Sequence, residues 1–255
     1  MAFARVDGRR LEYRLVGAET GRPPLVLLHE GLGSVAMWRD FPDKLAARVG
    51  ARALVYSRLG YGRSDPLPAK RNVCFMHEEA LALTRLLDRL AIARPLLVGH
   101  SDGASIALIH AAADRAVEGL VLIAPHVFVE AVCLRSIRAI RAAYRNDDLR
   151  SRLAKYHAHI DDAFLGWADI WLDPAFRTWS IEGLLPRVRA PMLLIQGLKD
   201  EYGTLAQLDR IEAAAAAPTA RCVLAQCGHS PHRDAEAEVL DVIAAFTAGR
   251  AAPQP

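Results

Sequence analysis

The sequence predicts an α/β fold, an open and mostly parallel sheet covered by helices on both faces. Six segments are near-continuous apolar runs, which suits strands buried on both faces better than half-buried strands that alternate. Helical patterns separate these runs, and strand-then-helix repetition produces right-handed crossovers that clothe a sheet on two sides. In such sheets a ligand lies beyond the carboxyl ends of the strands. The chemistry is therefore expected in the loops that follow the apolar runs.

Taken in order, "RVDGRRLEYRLVG" (5–17) predicts a hairpin turning at Asp7-Gly8, with Leu11, Tyr13 and Leu15 alternating along its second arm. The runs "PLVLLH" (24–29), "ARALVYS" (51–57), "RPLLVGH" (94–100) and "VEGLVLIAP" (117–125) then predict buried strands. "PMLLIQG" (191–197) and "ARCVLA" (220–225) complete the set. Helical patterns fall at 37–49, 76–91, 102–114, 204–216 and 234–249. From 126 to 186 the pattern is helical without a strand, and three of the four tryptophans (Trp167, Trp171, Trp179) lie there with Phe164 and Phe176. That aromatic-rich insertion is expected to form a cap over the strand ends, splitting the chain into a core (1–125 and 187–255) and a cap (126–186).

At 255 residues and 52% hydrophobic content the chain is long enough for one large domain with a sizeable core. A formal charge of +3 from 32 basic and 29 acidic residues argues against a nucleic-acid partner. No apolar run approaches the roughly 20 residues of a membrane span, and the N-terminus lacks a signal-peptide pattern. Cys74, Cys133, Cys222 and Cys227 lack metal-like spacing, so reduced thiols in a cytoplasmic protein are expected.

"LLVGHSDGAS" contains a G-x-S-x-G, Gly99 to Gly103, between an apolar strand and a helical pattern. That context suits a strained turn that exposes Ser101, with glycines where strand and helix crowd together and a helix N-terminus facing developing negative charge. A serine hydroxyl needs a base beside it and an orienting carboxylate behind the base. "LLIQGLKDEYG" offers Asp200 and "LAQCGHSPH" offers His229, each in the loop after a strand. The order Ser, Asp, His is that of a nucleophile-elbow arrangement.

With these motifs, a histidine–small-residue loop ("LLHEGLGS") and "RLGYGRSD" (58–65), nearly the whole chain resembles the α/β-hydrolase superfamily. The resemblance implies an eight-stranded, mostly parallel sheet with a helical cap after strand six. Family spacing from Gly197 favours Asp200 over Glu201 as the acid, and Glu130, after strand six, is a weaker candidate. His229 is favoured over His232, which is expected to start the last helix or face solvent. His100 is expected to be a hydrogen-bonded packing residue, and His157 and His159 have no acidic partner at metal spacing, so no metal and no cofactor are assigned. The implied oxyanion hole uses the N–H groups of Asp102 and Gly31, with Leu32 as the alternative to Gly31.

The expected function is hydrolysis of a small to medium, largely apolar ester, thioester or lactone through an acyl-enzyme, with Leu32, Trp167, Trp171 and Trp179 contacting substrate. The alternatives are C–C bond hydrolysis of a diketone-type ring-cleavage product, or a non-hydrolytic receptor or lyase that keeps the triad. Partners are limited to a small-molecule substrate, without nucleic acid or membrane, and a homodimer is compatible with this expectation. Glu30 departs from the glycine common at its position and is expected to pair with Arg58 or Arg63. Arg135, Arg138, Arg141 and Arg145 recur at helical spacing and are expected to form a solvated face.

Overall fold

A computed structural model describes residues 1–146 and 148–249. Eight strands form one sheet in the order β1-β2-β4-β3-β5-β6-β7-β8. β1 (Ala2–Val6) and β2 (Arg9–Val16) make the hairpin, with Asp7 and Gly8 of its turn at φ 50° and 78°. β2 also runs antiparallel to β4 (Ala53–Tyr56), and every later pairing is parallel. β3 (Leu25–Leu28), β5 (Leu96–His100), β6 (Gly119–Ile123) and β7 (Met192–Gly197) are buried at every residue, as their unbroken apolar runs require. β8 (Thr219–Leu224) is the partly exposed edge.

Because side chains alternate across a strand, each inner strand feeds two cores. Leu25 and Leu27 of β3 face α1 (Phe41–Val49) and α9 (Glu236–Ala248). Val26 and Leu28 face the opposite layer, formed by α2 (Phe75–Arg89), α3 (Asp102–Ala112) and α7 (Ala206–Ala214). Among the described residues no helix is long and apolar enough to cross a membrane.

Among the helix boundaries that differ from the sequence expectation, three have a clear local reason. The pattern from 37 breaks because Ala36–Trp38 is a 3-10 turn and Arg39 takes φ 54°, so α1 starts at Phe41 with Pro42 in its first turn. The pattern from 234 is divided at Ala235 (φ −139°, ψ 54°), between the short α8 (Pro231–Asp234) and α9. α7 stops at Ala214 because Ala215 is already extended (φ −67°, ψ 129°) on the approach to Pro218.

Between β6 and β7 lie α4 (Ala131–Asn146), α5 (Leu149–Leu153), α6 (Ile160–Leu172) and two 3-10 segments. Phe164, Trp171 and Phe176 of this insertion share one apolar cluster with Leu97 of β5 and Ile106 of α3. It is packed continuously onto the core. α4 is amphipathic: Cys133, Ile137 and Tyr144 are buried while Arg135, Arg138 and Arg145 are exposed. Arg141 leaves that solvated row to pair with Asp169 of α6 at 2.6 Å.

Candidate active site

β5 runs directly into α3, and Ser101 sits at the junction in a strained conformation, φ 53° and ψ −119°. The turn is tight because neither flanking glycine has room for a side chain. A Cβ at Gly99 would lie 2.5 Å from the Ala104 Cα, and one at Gly103 would strike the Leu28 carbonyl of β3. Ser101 is anchored by its own N–H, which donates to Ile123 O at 2.9 Å.

Across the carboxyl ends of the strands, Ser101 Oγ lies 2.9 Å from His229 Nε2. His229 Nδ1 lies 2.9 Å from each oxygen of the Asp200 carboxylate. The carboxylate fixes the proton on Nδ1, leaving Nε2 to accept from the hydroxyl. Asp200 is itself held by N–H donors from Tyr202 (2.7 Å) and Gly203 (3.1 Å) and by Gln196 Nε2 (2.6 Å). Burial pushes the Asp200 carboxyl up, but the His229 hydrogen bond and charge, with the Tyr202 N–H and the nearby His126, bring it below its usual range.

Glu201 does not share this position; its Oε2 accepts the backbone N–H of His229 at 3.3 Å. Glu130 serves the fold instead, accepting from the Thr204 hydroxyl (2.7 Å) and from Gln207 Nε2 (2.8 Å). The expectation for His232 is corrected: it is 2% exposed and packs 5.0 Å from the Trp38 ring and 5.4 Å from Phe41. The short turn of α8 folds it inward, where burial holds its pKa well below normal.

Gly31 lies beside Ser101 and directly beneath Trp167, whose indole would collide with any Cβ at that position. Asp102 opens α3, where the first N–H groups lack helical acceptors. His157 clamps the same loop from the cap, its Nε2–H donating to Leu32 O (3.0 Å) while Nδ1 accepts from Gly62 N–H (3.0 Å). His159 is exposed at the N-terminus of α6. Among the described residues no group of three or more His, Cys, Asp or Glu is arranged to hold a metal.

Leu32, Trp167 and Trp171 line a cavity of about 220 Å³ over Ser101. Trp171 is also tied to the elbow, its Nε1 donating to Asp102 Oδ1 at 3.2 Å. Trp179 is a correction: it is not in the cavity wall but stacks on Phe176 with centroids 5.2 Å apart. The extended backbone at Trp179 turns it inward to the core rather than toward Ser101. Sequence reasoning missed Ile137, Ile140, Leu149 and Leu153, which add apolar wall to the cavity, and Arg233, which adds a charge. Ile137 and Ile140 fall opposite the arginines of α4, so an amphipathic reading of that helix would have found them.

The pairing expected of Glu30 is also corrected. Arg63 is exposed, with its backbone N–H donating to Glu12 (2.9 Å). Arg58 is buried and bonds the Glu30 carbonyl (3.0 Å) rather than its carboxylate, its guanidinium lying 3.9 Å from Asp102 Oδ2. The Glu30 side chain folds back over Gly33 because that loop turns tightly through a Gly33 N–H to Glu30 O bond (3.1 Å). Its carboxylate then reaches His100 and Arg233, each at 3.5 Å.

Burial would raise the Glu30 pKa, but the neighbouring His100, Arg233 and His29 together outweigh it and hold the carboxyl well below normal. A carboxyl depressed by folding stabilises above its unfolded pKa, roughly 3.9–4.3, and that stability is lost as pH falls through the lower folded value. Asp200→Asn and Glu30→Gln are each expected to flatten the acid limb of unfolding free energy between about pH 5 and pH 1. Denaturant titrations across that window measure it, and an unaltered limb would contradict both assignments.

A family model described as "Alpha/beta hydrolase family" matches residues 25–242. A proline iminopeptidase of Lactobacillus helveticus is 36% identical over 104 residues, 40% of this chain and 35% of that protein. The chain thus spans about a third of that curated relative's length. The solved structure of VinJ superposes with a TM-score of 0.74 at 22% identity, covering 97% of this chain and 98% of the other. The enol-lactonase from Burkholderia xenovorans LB400 gives 0.73 at 22% identity, covering 96% and 99%. At these identities the solved structures establish likeness of fold.

Proposed function

The chain belongs to the alpha/beta hydrolase family, and from that premise we propose that it is a serine hydrolase cleaving small, largely apolar carboxylic esters, thioesters or lactones. The observation that carries this is the hydrogen-bonded chain Ser101–His229–Asp200, with both links at 2.9 Å, beneath a mainly apolar cavity. In the proposed mechanism Ser101 Oγ attacks the carbonyl carbon as His229 Nε2 takes its proton. Asp200 holds the imidazole tautomer and stabilises the imidazolium. The N–H groups of Asp102 and Gly31 receive the oxyanion. His229 then protonates the leaving group, and water activated by the same imidazole releases the acid.

The size of the cavity supports a small substrate, since ligand pockets commonly span roughly 300–1,000 Å³ and this one is about 220 Å³. Ile137, Ile140, Leu149 and Leu153 give the cavity a wall without polar partners, which favours an alkyl or aryl group against it. p-Nitrophenyl butyrate is therefore expected to exceed the palmitate ester in kcat/KM by at least about tenfold. Ile140→Trp should steepen that preference by reducing the space along that wall. A flat chain-length profile would exclude this cavity as the acyl site.

A fluorophosphonate probe tests the nucleophile: labelling of the wild type that vanishes in Ser101→Ala supports it, and labelling retained in Ser101→Ala rejects it. A second reading is cleavage of a substrate with a free amino group, as the name of the iminopeptidase relative suggests. Exposed Glu201 on the cavity wall favours it, because a carboxylate can pair with an ammonium. Turnover of prolyl p-nitroanilide without turnover of esters would select this second reading.

A further inference from the structure

His100, the residue before Ser101, is wholly buried. Its Nε2 lies 2.7 Å from the His229 carbonyl oxygen, which can only accept, so Nε2 carries a proton. Its Nδ1 makes no hydrogen bond but stands 3.5 Å from Glu30 Oε2, an ion-pair distance from an oxygen that, when ionised, also only accepts. Both ring nitrogens therefore face acceptors, an arrangement that suits an imidazolium. The second oxygen of Glu30 lies 3.5 Å from Arg233 Nη2, and Arg233 also donates to Met37 O at 3.1 Å.

This chain of contacts joins three segments that the proposed chemistry needs in register: the loop after β3, the end of β5, and the loop after β8. The sheet order puts β6 and β7 between β5 and β8, so the His229 loop must reach across two strands to meet Ser101. His100 holds the backbone of that loop by its carbonyl, with the two imidazole rings 5.1 Å apart. Glu30, two residues after Leu28, fixes His100 from the loop that carries Gly31.

The remaining neighbours leave Glu30 as the acidic partner of His100. His232 packs at 4.7 Å and Trp38 at 6.4 Å between ring centroids, and neither His232 nitrogen has a hydrogen-bond partner in the structure. The titratable and charged groups around the pair are His29, Arg58, His126, His229, His232 and Arg233, and each is basic.

We propose that Glu30 and His100 form a buried ion pair that positions His229 and the Gly31 loop around Ser101. Glu30 and His100 border the cavity, and the role assigned to them is positioning: they act on the reacting groups through the loops they hold. The proposal rests on the serine-hydrolase reading for its kinetic consequence, and the protonation state can be read independently of any substrate.

Side-chain nitrogen NMR of the ¹⁵N-histidine-labelled protein at neutral pH is expected to show His100 with both nitrogens protonated, its signals assigned by their loss in His100→Gln. In Glu30→Gln one of those protons should be lost. A neutral His100 in the wild type, or an unchanged imidazolium in Glu30→Gln, would overturn the pair. On p-nitrophenyl butyrate Glu30→Gln should lower kcat about 10- to 100-fold with KM nearly constant, as a misplaced catalytic group does. An unchanged kcat would overturn the positioning role.

If Glu30→Gln fails to fold, His100→Gln and His100→Leu decide the matter. Glutamine keeps an N–H able to reach His229 O, and leucine does not, so His100→Gln should retain the higher kcat; equal values would count against the tether. Fluorophosphonate labelling of the wild type separates the two levels. Its absence refutes the nucleophile, whereas labelling with a neutral His100 refutes only the pair.

Discussion

Ser101→Ala is expected to abolish fluorophosphonate labelling and to lower kcat on p-nitrophenyl butyrate by about 10⁶-fold, with KM within a few-fold of wild type. The size follows from what the hydroxyl contributes. Without Oγ there is no acyl-enzyme, and His229 has nothing to deprotonate but water. The cavity wall and the donors at Asp102 and Gly31 would remain, so substrate binding should survive. Asp200→Asn should cost less, about 10⁴-fold, because it disturbs the tautomer of His229 while leaving nucleophile and base in place. Initial-rate kinetics on both variants provide the check. A Ser101→Ala enzyme with more than about a thousandth of wild-type kcat would mean that another group attacks the carbonyl.

Gly103→Ala is expected to damage the fold severely for so small a substitution. Its new methyl would meet the Leu28 carbonyl of β3, and neither side can yield easily. β3 is paired on both edges, with β4 and β5, and α3 is fixed by the buried turn at Ser101. Overpacking of this kind costs about 3 kcal/mol, which for a chain of this size lowers Tm by roughly 10 °C. Gly183→Ala is the matched control, since a Cβ there meets nothing within 4 Å; it should change stability by less than about 0.5 kcal/mol. Equal melting temperatures for the two variants would mean that the elbow does not press on β3 as the structure has it.

Much of the fold was legible in the chain because inner strands and amphipathic helices write different periods. Val26 and Leu28 point one way and Leu25 and Leu27 the other, so a strand buried on both faces must be apolar throughout. The candidate site was legible where local geometry demands particular residues. Gly99 and Gly103 are required by the close packing around Ser101, and a base and an acid must follow later strands to reach it. Helix ends were less legible. The break at Arg39 and the split at Ala235 depend on how the loops pack, and neither position carries a strong stop signal of its own.

Side-chain partners were the least legible. Glu30 reads as an acid near two arginines of a neighbouring loop, yet its carboxylate meets His100 from β5 and Arg233 from α8. His232 reads as a surface residue at a helix start, yet α8 turns it into the core beside Trp38. The three cap tryptophans read alike, and only packing separates Trp167 over Gly31 and Trp171 on Asp102 from Trp179 against Phe176. By itself, the sequence determined the α/β architecture, the elbow and the order of Ser101, Asp200 and His229, because these follow from period, glycine placement and chain order. Tertiary structure alone decided the partners of Glu30, the burial of His232 and the shape of the cavity. Those depend on distances between residues far apart in the chain, which no local pattern encodes.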